Sequence, residues 1–157
     1  MVENVTNKGK VPAVMTCDAF DLRTFLPYVL DRAAEETSSG FQRVYKRGHG
    51  MLRTEWRVLV HLGRYGAMTA TAIGQAARIH KTKISRAVRA LGERRLLSRS
   101  AVAGDRRQER LDLTPSGVGV YRELAEEAVE YDRALAALFT PEEAEVLRGC
   151  LLRLARL

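Results

Sequence analysis

The spacing of apolar residues predicts a mostly helical chain. Apolar side chains recur every three or four residues through long stretches, which is the pattern of helices with a buried face. We expect six helices, at about 21–45, 53–65, 69–79, 80–95, 115–138 and 141–157. Two short runs, 97–102 and 108–113, flank a Gly-Asp turn signal and predict a β-hairpin. The expected fold class is therefore mostly α with a small β-hairpin.

Threonines and prolines locate several helix ends. Thr69 is a candidate N-cap for the third helix. Thr114 and Thr140 each precede a proline at the first helical position, and a capping box begins at Thr140. Pro27 falls inside the predicted first helix, so that helix either begins near Thr24 or is kinked at the proline.

The helix predicted at 80–95 has two different faces. Ile84, Val88 and Leu91 recur at spacings of four and three, so they form one buried stripe. The opposite face is polar and cationic, with Lys81, Thr82, Lys83, Ser85, Arg86 and Arg89. A tight turn joins this helix to the preceding one.

The excess charge of the chain lies in one segment. The 157-residue sequence has a formal net charge of +7. Residues 78–110 hold eleven Lys or Arg and three acids, a net charge of +8, so the rest is nearly neutral at −1. A cationic helix beside a cationic loop fits DNA, because the helix can enter the major groove while the loop reaches phosphates or the minor groove. The alternative is a solvated charged face, which normally mixes both signs.

Motifs in this segment resemble the winged helix-turn-helix of MarR-type transcriptional regulators. They are the run at 79–91, Arg95-Leu96-Leu97-Ser98-Arg99, Asp105-Arg106-Arg107 and Leu113-Thr114-Pro115-Ser116-Gly117. The run at 51–59 resembles the start of the family's second helix, and the resemblance extends from about Leu22 to the C-terminus. His80 stands where an aspartate is common, and Leu52 stands where the family often has a threonine.

The DNA contacts expected of the helix divide by position. The candidates for the major groove or its flanking phosphates are Thr82, Lys83, Ser85, Arg86 and Arg89. Arg86 is best suited to a bidentate contact with guanine, whereas Lys81 and Arg99 are expected to contact phosphates.

Three residues of the hairpin complete the expected DNA contacts. By resemblance, Arg107 is the wing arginine that enters the minor groove, and Asp105 orients it through a charge pair. Arg106 could share either role. These contacts imply a double-stranded DNA partner.

Four regions are expected along the chain. They are a flexible arm at 1–20, a helix and connection on the dimerisation and ligand side at 21–52, the DNA-binding lobe at 53–113, and dimerisation helices at 114–157. The first and last helices are too apolar to stand alone in water, and MarR-type proteins pair through both termini. We expect a homodimer that presents two recognition helices about 34 to 36 Å apart to a pseudo-palindromic operator. The alternative is a monomer in which these faces pack internally.

The resemblance also implies a small effector, since MarR-type proteins commonly bind phenolic or aromatic carboxylates. The candidate ligand-binding residues are Phe25, Tyr28, Arg32, Trp56, Arg57 and His61. Aromatic rings would stack on such a ligand, and an arginine or histidine would hold its carboxylate. Trp56 could instead be a core residue, and His61 a surface residue. We expect a repressor that an aromatic acid or its thioester releases from DNA.

Two other functions stay open. Cys17 and Cys150 could form a thiol sensor of oxidants if both lie at the dimer surface. Alternatively, the basic segment could belong to an architectural protein that coats DNA without sequence choice. Such a protein would not need a polar reading face that includes Thr82 and Ser85.

No catalytic function, cofactor or metal site is expected. The three histidines are widely separated, and the sequence contains no Gly-rich phosphate loop or Gly-x-Ser-x-Gly motif. No apolar run approaches the ~18 residues of a membrane span, and the N-terminus lacks a signal-peptide core. We therefore expect a cytoplasmic protein with no membrane partner.

Overall fold

The computed structural model describes residues 20–102 and 105–156, with the backbone alone for 102 and 105–108. In chain order the elements are α1 (Leu26–His49), α2 (Arg53–Tyr65), β1 (Met68–Thr69), α3 (Ala70–Ala77), α4 (Lys81–Glu93), β2 (Leu97–Val102), β3 (Asp105–Leu113), α5 (Pro115–Ala136) and α6 (Pro141–Ala155). The predicted fold class, mostly helical with a small antiparallel sheet, is confirmed. The described residues divide into two compact units, which meet between Glu36 and Thr37.

The first helix begins late enough to accommodate its proline. α1 starts at Leu26, so Pro27 lies in the first turn, where backbone N–H groups have no intrahelical partner. The sequence left open whether the helix begins near the proline or is kinked at it. The structure shows a helix that begins near the proline. α1 also extends to His49, four residues beyond the predicted end, and Gly50 follows with φ +60°. That left-handed conformation favours glycine and ends the helix.

Threonine side chains cap three helices as predicted. The Oγ1 atoms of Thr69, Thr114 and Thr140 accept backbone N–H groups three residues later at 3.1, 3.0 and 3.2 Å. The Thr140 N–H in turn donates to the carboxylate of the third residue of α6 at 2.9 Å, which completes the capping box. α2 lacks a side-chain cap because Leu52 has no acceptor. Instead, the Leu52 N–H donates to Glu55 Oε2 at 3.1 Å, which gives this buried carboxylate a partner.

The wing is a three-stranded antiparallel sheet in the order β1-β3-β2. The sequence does not predict β1, because two residues are too few to show an alternating pattern. Met68 pairs with Leu111, and Thr69 pairs with Arg110. β2 coincides with the predicted run, whereas β3 begins at Asp105, three residues earlier than predicted.

One apolar core within residues 37–157 supports α4 and the wing. Its buried members include Met51, Val58, Leu59, Leu62, Ile73, Ile84, Val88, Leu91, Leu96, Leu111 and Leu124. At its edge, the start of α5 approaches the backbone of Leu96. The Thr114 N–H donates to the Leu96 carbonyl oxygen at 3.1 Å, and a Cβ at Gly117 would overlap that oxygen. The close approach therefore requires glycine at position 117.

The described part of the first unit exposes much apolar surface. Its exposed apolar side chains are Phe20, Leu22, Phe25, Leu26, Tyr28 and Val29. The ring centroids of Phe20 and Phe25 are 5.2 Å apart. Exposed apolar side chains in this number are typical of a surface that associates with another surface.

Candidate nucleic-acid interface and ligand pocket

The N-terminus of α4 is capped by a histidine. His80 has extended backbone angles, and its Nδ1 atom accepts the Thr82 N–H at 3.3 Å. The His80 carbonyl oxygen accepts the N–H groups of Lys83 and Ile84 at 3.0 and 3.2 Å, which starts the helix. An imidazole therefore takes the capping place of the carboxylate that is common at this position in MarR-type proteins.

The two faces of α4 differ as predicted. Ile84, Ala87, Val88 and Leu91 are buried in the core. The basic face of α4, which consists of Lys81, Thr82, Lys83, Ser85, Arg86 and Arg89, is exposed along its whole length. The buried stripe fixes the rotation of the helix about its axis, so the six polar side chains must point away from the core.

The basic residues of α4 and β2 differ in whether an acidic side chain lies beside them. Arg89 Nε lies 2.8 Å from Glu93 Oε1, one turn along α4. Arg99 Nη1 on β2 lies 3.1 Å from Glu109 Oε2 on β3. Among the side chains that the structure describes, Lys81, Lys83 and Arg86 form no ion pair. These three are therefore the cations of α4 most available to an added anion.

The tip of the wing lies mostly outside the described side chains. Asp105, Arg106 and Arg107 belong to the start of β3, where the structure describes the backbone alone. Val102 pairs with Asp105 and Ala101 pairs with Glu109, so the ladder is irregular between these two pairs, at residues 106–108 of β3. The expected charge pair between Asp105 and Arg107 thus lies outside the described residues.

A pocket with a volume of about 490 Å³ lies between the second half of α1, α2 and α5, entirely within residues 37–157. Four aromatic rings line it. The ring centroid of Phe41 lies 5.3 Å from that of Trp56 and 5.4 Å from that of Tyr131. Tyr45 and Trp56 stack with centroids 5.9 Å apart. The Tyr131 hydroxyl donates to the Thr37 carbonyl oxygen at 2.8 Å, which fixes this ring on α1.

Two arginines of α2 also line the pocket. Burial, together with the neighbouring charge of Arg53, lowers the pKa of Arg57 from its ordinary value. Arg53 Nη2 donates to Ser38 Oγ at 3.1 Å, and among the described side chains neither arginine pairs with a carboxylate. Asp132 lines the pocket too, but it pairs with Arg148 of α6 at 3.0 Å. The pocket therefore combines aromatic walls with two arginines that pair with no described carboxylate, and its one aspartate is paired with Arg148.

The predicted ligand residues lie in different places. Trp56 and Arg57 line the pocket. His61 lies one turn further along α2, where its Nδ1 is 2.6 Å from the Arg57 carbonyl oxygen, and it is not a lining residue. Phe25, Tyr28 and Arg32 belong to the first unit and are exposed there, with Arg32 Nη1 at 3.3 Å from Glu35 Oε2.

Phe41 and Tyr131 line the pocket without having been predicted. An aromatic residue at helical spacing resembles any core residue, so periodicity alone does not distinguish a pocket wall. Phe41 and Tyr45 are four residues apart and share one face of α1, but this spacing carries no information about Tyr131 on α5.

The structure offers little support for other chemistry among the residues it describes. No cluster of His, Cys, Asp and Glu there could hold a metal ion. The described helices include none that is long and apolar enough to span a membrane. Cys150 is a half-buried thiol that accepts a hydrogen bond from Arg153 Nη2 at 3.3 Å, and Cys17 lies outside the described residues.

A sequence model described as MarR family matches residues 49–108, from the end of α1 into the wing. No curated protein sequence matches the chain. The match therefore concerns the helices and strands that form the basic surface.

Solved structures match most of the chain. A probable transcriptional regulator from Pseudomonas aeruginosa is 28% identical with a TM-score of 0.71, covering 85% of this chain and 99% of that one. The MarR family transcriptional regulator SPO1453 from Silicibacter pomeroyi DSS-3 is 27% identical with a TM-score of 0.76, covering 87% and 97%. BpsR from Bordetella bronchiseptica is 21% identical with a TM-score of 0.78, covering 87% and 96%, and shows the fold alone.

Proposed function

Since this chain is a relative of the MarR-family transcriptional regulators, we propose that it is a dimeric DNA-binding repressor that a small aromatic acid releases from its operator. The observation that carries the proposal is the exposed basic face of α4 above a buried stripe. Such a helix has the shape and the charge to enter the major groove of a duplex.

Individual side chains of α4 support sequence recognition. A recognition helix contacts base edges mainly through its N-terminal half, where Lys81, Thr82 and Lys83 are exposed. Arg86 lies one turn further along and forms no ion pair with a described side chain, so its guanidinium is available for a bidentate contact with guanine. In the wing, Arg107 would enter the minor groove beside Asp105. A protein that only coats DNA would not need Thr82 and Ser85 on this face.

The last helix supports a homodimer. None of the residues from Pro141 to Ala155 is buried, and Leu147, Leu151 and Leu154 leave 41, 41 and 59% of their surfaces exposed. An apolar stripe of this kind is normally covered by a partner. A second copy of the chain would cover it symmetrically and would present two copies of α4 to a pseudo-palindromic site.

The pocket lined by Trp56 and Arg57 supports an aromatic acid as the effector. Its volume of about 490 Å³ is in the range of small-molecule sites. The rings would stack on the ligand, and a carboxylate between Arg53 and Arg57 would offset the repulsion between the two guanidinium groups. BpsR is a protein of the same fold, and its DNA binding is regulated by 6-hydroxynicotinic acid, which is an acid of this class.

Release from DNA requires that the acid bind one dimer geometry more tightly than another. α5 contributes Tyr131 and Asp132 to the pocket, and Asp132 is ion-paired with Arg148 of the exposed helix α6. α5 ends at Ala136 and α6 begins at Pro141, so a ligand that moves α5 would also displace the start of α6. In a dimer joined through α6, such a movement would change the separation of the two α4 helices and weaken their fit to the groove.

DNA binding tests the regulatory half of the proposal. Fluorescence anisotropy would compare a duplex from the protein's own upstream region with a scrambled duplex of equal length. We expect the upstream duplex to bind at least ~10³-fold more tightly, as specific regulators do. Equal affinities at physiological salt would overturn the proposal and favour an architectural DNA-coating protein.

Calorimetry with benzoate- and cinnamate-type acids and their thioesters tests the effector half. We expect one of them to bind the wild type and to lose at least ~10-fold in affinity with Arg57→Gln, since a charge-assisted bond is worth about 1.5–3 kcal/mol. Arg64→Gln is the matched control, because Arg64 is exposed on α2 and does not line the pocket. The absence of binding by every acid would overturn this half.

A further inference from the structure

Two of the three acids in the basic segment are paired with arginines of the expected DNA-binding surface. In residues 78–110 only Glu93, Asp105 and Glu109 are acidic. Glu93 pairs with Arg89 at 2.8 Å, and Glu109 pairs with Arg99 at 3.1 Å. The side chain of Asp105 lies outside the described residues. The described acids of this segment therefore each lie beside an arginine that the sequence assigns to the DNA-binding surface.

The first pair turns its arginine along α4 towards the helix C-terminus. Glu93 follows Arg89 by four residues, so the bond draws the guanidinium away from the N-terminal half of the helix. Lys81, Thr82 and Lys83 occupy that half. The side chains of Arg89 and Glu93 are 79% and 62% exposed, so packing does not hold them, and the pair can open.

The second pair spans two strands of the wing. Arg99 is opposite Leu111 and Glu109 is opposite Ala101, so the arginine and the glutamate face each other diagonally across β2 and β3. Their side chains are 44% and 56% exposed. Both residues also line the groove between α3, α4 and the wing, next to Lys81 and Ser85 of the basic face. Glu109 therefore lies beside the basic face of α4.

We propose that Glu93 and Glu109 limit DNA affinity by holding Arg89 and Arg99 in ion pairs. When the protein binds DNA, each pair must either open or bring its glutamate close to a phosphate. This inference rests on the proposed DNA-binding function. The two glutamates act through their arginines, so they are positioning residues rather than DNA contacts. Their effect falls on phosphate binding, which is independent of sequence, and so they restrain non-specific association in particular.

Neutralising either glutamate should strengthen binding. An exposed ion pair is favoured over its open form by an equilibrium constant of about two to five. Glu93→Gln and Glu109→Gln should therefore each bind a scrambled duplex about two to five times more tightly than the wild type. Each freed arginine can neutralise one more phosphate. The slope of log K against log salt concentration should therefore become steeper by up to ~0.9 per variant.

Two controls separate this effect from a general change in charge. Glu127→Gln removes the same charge from an exposed position on α5, outside the basic segment, and should leave both affinity and slope within error. In the Arg89→Gln background, Glu93→Gln should lose its effect, because the pair that it releases no longer exists. A double-mutant cycle with Arg99→Gln tests Glu109 in the same way.

Affinity that is unchanged or weaker in both glutamine variants would overturn the inference, and weaker binding would mean that the glutamates orient their arginines for DNA. An equal gain from Glu127→Gln would also overturn it, since net charge alone would then explain the result. A wild type that binds no duplex would instead contradict the proposed function itself. The two failures are therefore distinguishable.

Discussion

The cations on the exposed face of α4 differ in side-chain chemistry and in position along the helix. Arg86 forms no ion pair with any described side chain, whereas Lys81 lies at the first position of the helix beside the wing groove. A guanidinium can make two parallel hydrogen bonds to guanine, but an ammonium acts as a point charge. Sequence choice should therefore depend on Arg86 more than on Lys81.

The corresponding prediction compares two alanine variants. Arg86→Ala should lose about 1–3 kcal/mol of discrimination between the upstream and scrambled duplexes. Lys81→Ala should weaken both complexes alike and reduce the salt slope by about one. Competition titrations at two salt concentrations measure both effects. An Arg86→Ala variant with its sequence preference intact would show that another residue reads the bases.

The histidine cap of α4 permits a stability prediction. His80→Ala removes the acceptor for the Thr82 N–H and should lower the free energy of unfolding by about 0.5–1 kcal/mol. His80→Asp restores an acceptor and should be at least as stable as the wild type. Urea denaturation of the three proteins compares them directly. Equal stability of the alanine variant would mean that the 3.3 Å bond contributes nothing.

At the scale of elements, periodicity and capping residues were sufficient for most of the fold. α2 coincides with the predicted 53–65, and β2 coincides with 97–102. A strong local signal ends α2 at Gly66, whose φ is +75°. Elements that depend on tertiary contacts were less predictable. β1 has two residues and exists only because it pairs with β3, and α1 extends to His49, beyond the end at 45 that the sequence predicted.

The junction between the wing and α5 yields a prediction with a control on the same helix. Gly117→Ala should lower the free energy of unfolding by about 2 kcal/mol or more, because its Cβ would overlap the backbone oxygen of Leu96. Gly119→Ala should raise it by about 0.5–1 kcal/mol, because open space surrounds Gly119 inside α5. Thermal or chemical denaturation measures both. Similar effects of the two variants would contradict the close approach.

At the scale of the whole molecule, the exposed stripe of α6 predicts self-association. Leu151→Glu should shift the protein from dimer to monomer and weaken its binding to a paired site, because a charge replaces apolar surface in the proposed interface. Glu145→Gln on the same helix should leave the dimer intact. Sedimentation velocity at micromolar concentration distinguishes the masses. A monomeric wild type would remove the argument for a pseudo-palindromic operator.

The candidate site could be predicted only in part, for a physical reason. The basic face of α4 follows from local spacing, because one helix contains all six of its residues. The pocket joins α1, α2 and α5, whose contacts are distant in sequence, so Trp56 and Arg57 were predicted while Phe41 and Tyr131 were not. Periodicity does not distinguish an aromatic that lines a pocket from one that fills a core.

The most direct test of the account is the release of DNA by an aromatic acid. The upstream duplex would be titrated with protein in the absence and presence of each acid, for the wild type and for Arg57→Gln. The account predicts specific binding that one acid weakens by roughly 5- to 150-fold, the usual range of allosteric coupling, and that this acid weakens far less in Arg57→Gln. Specific binding that no acid affects, or an equal response in both proteins, would contradict it.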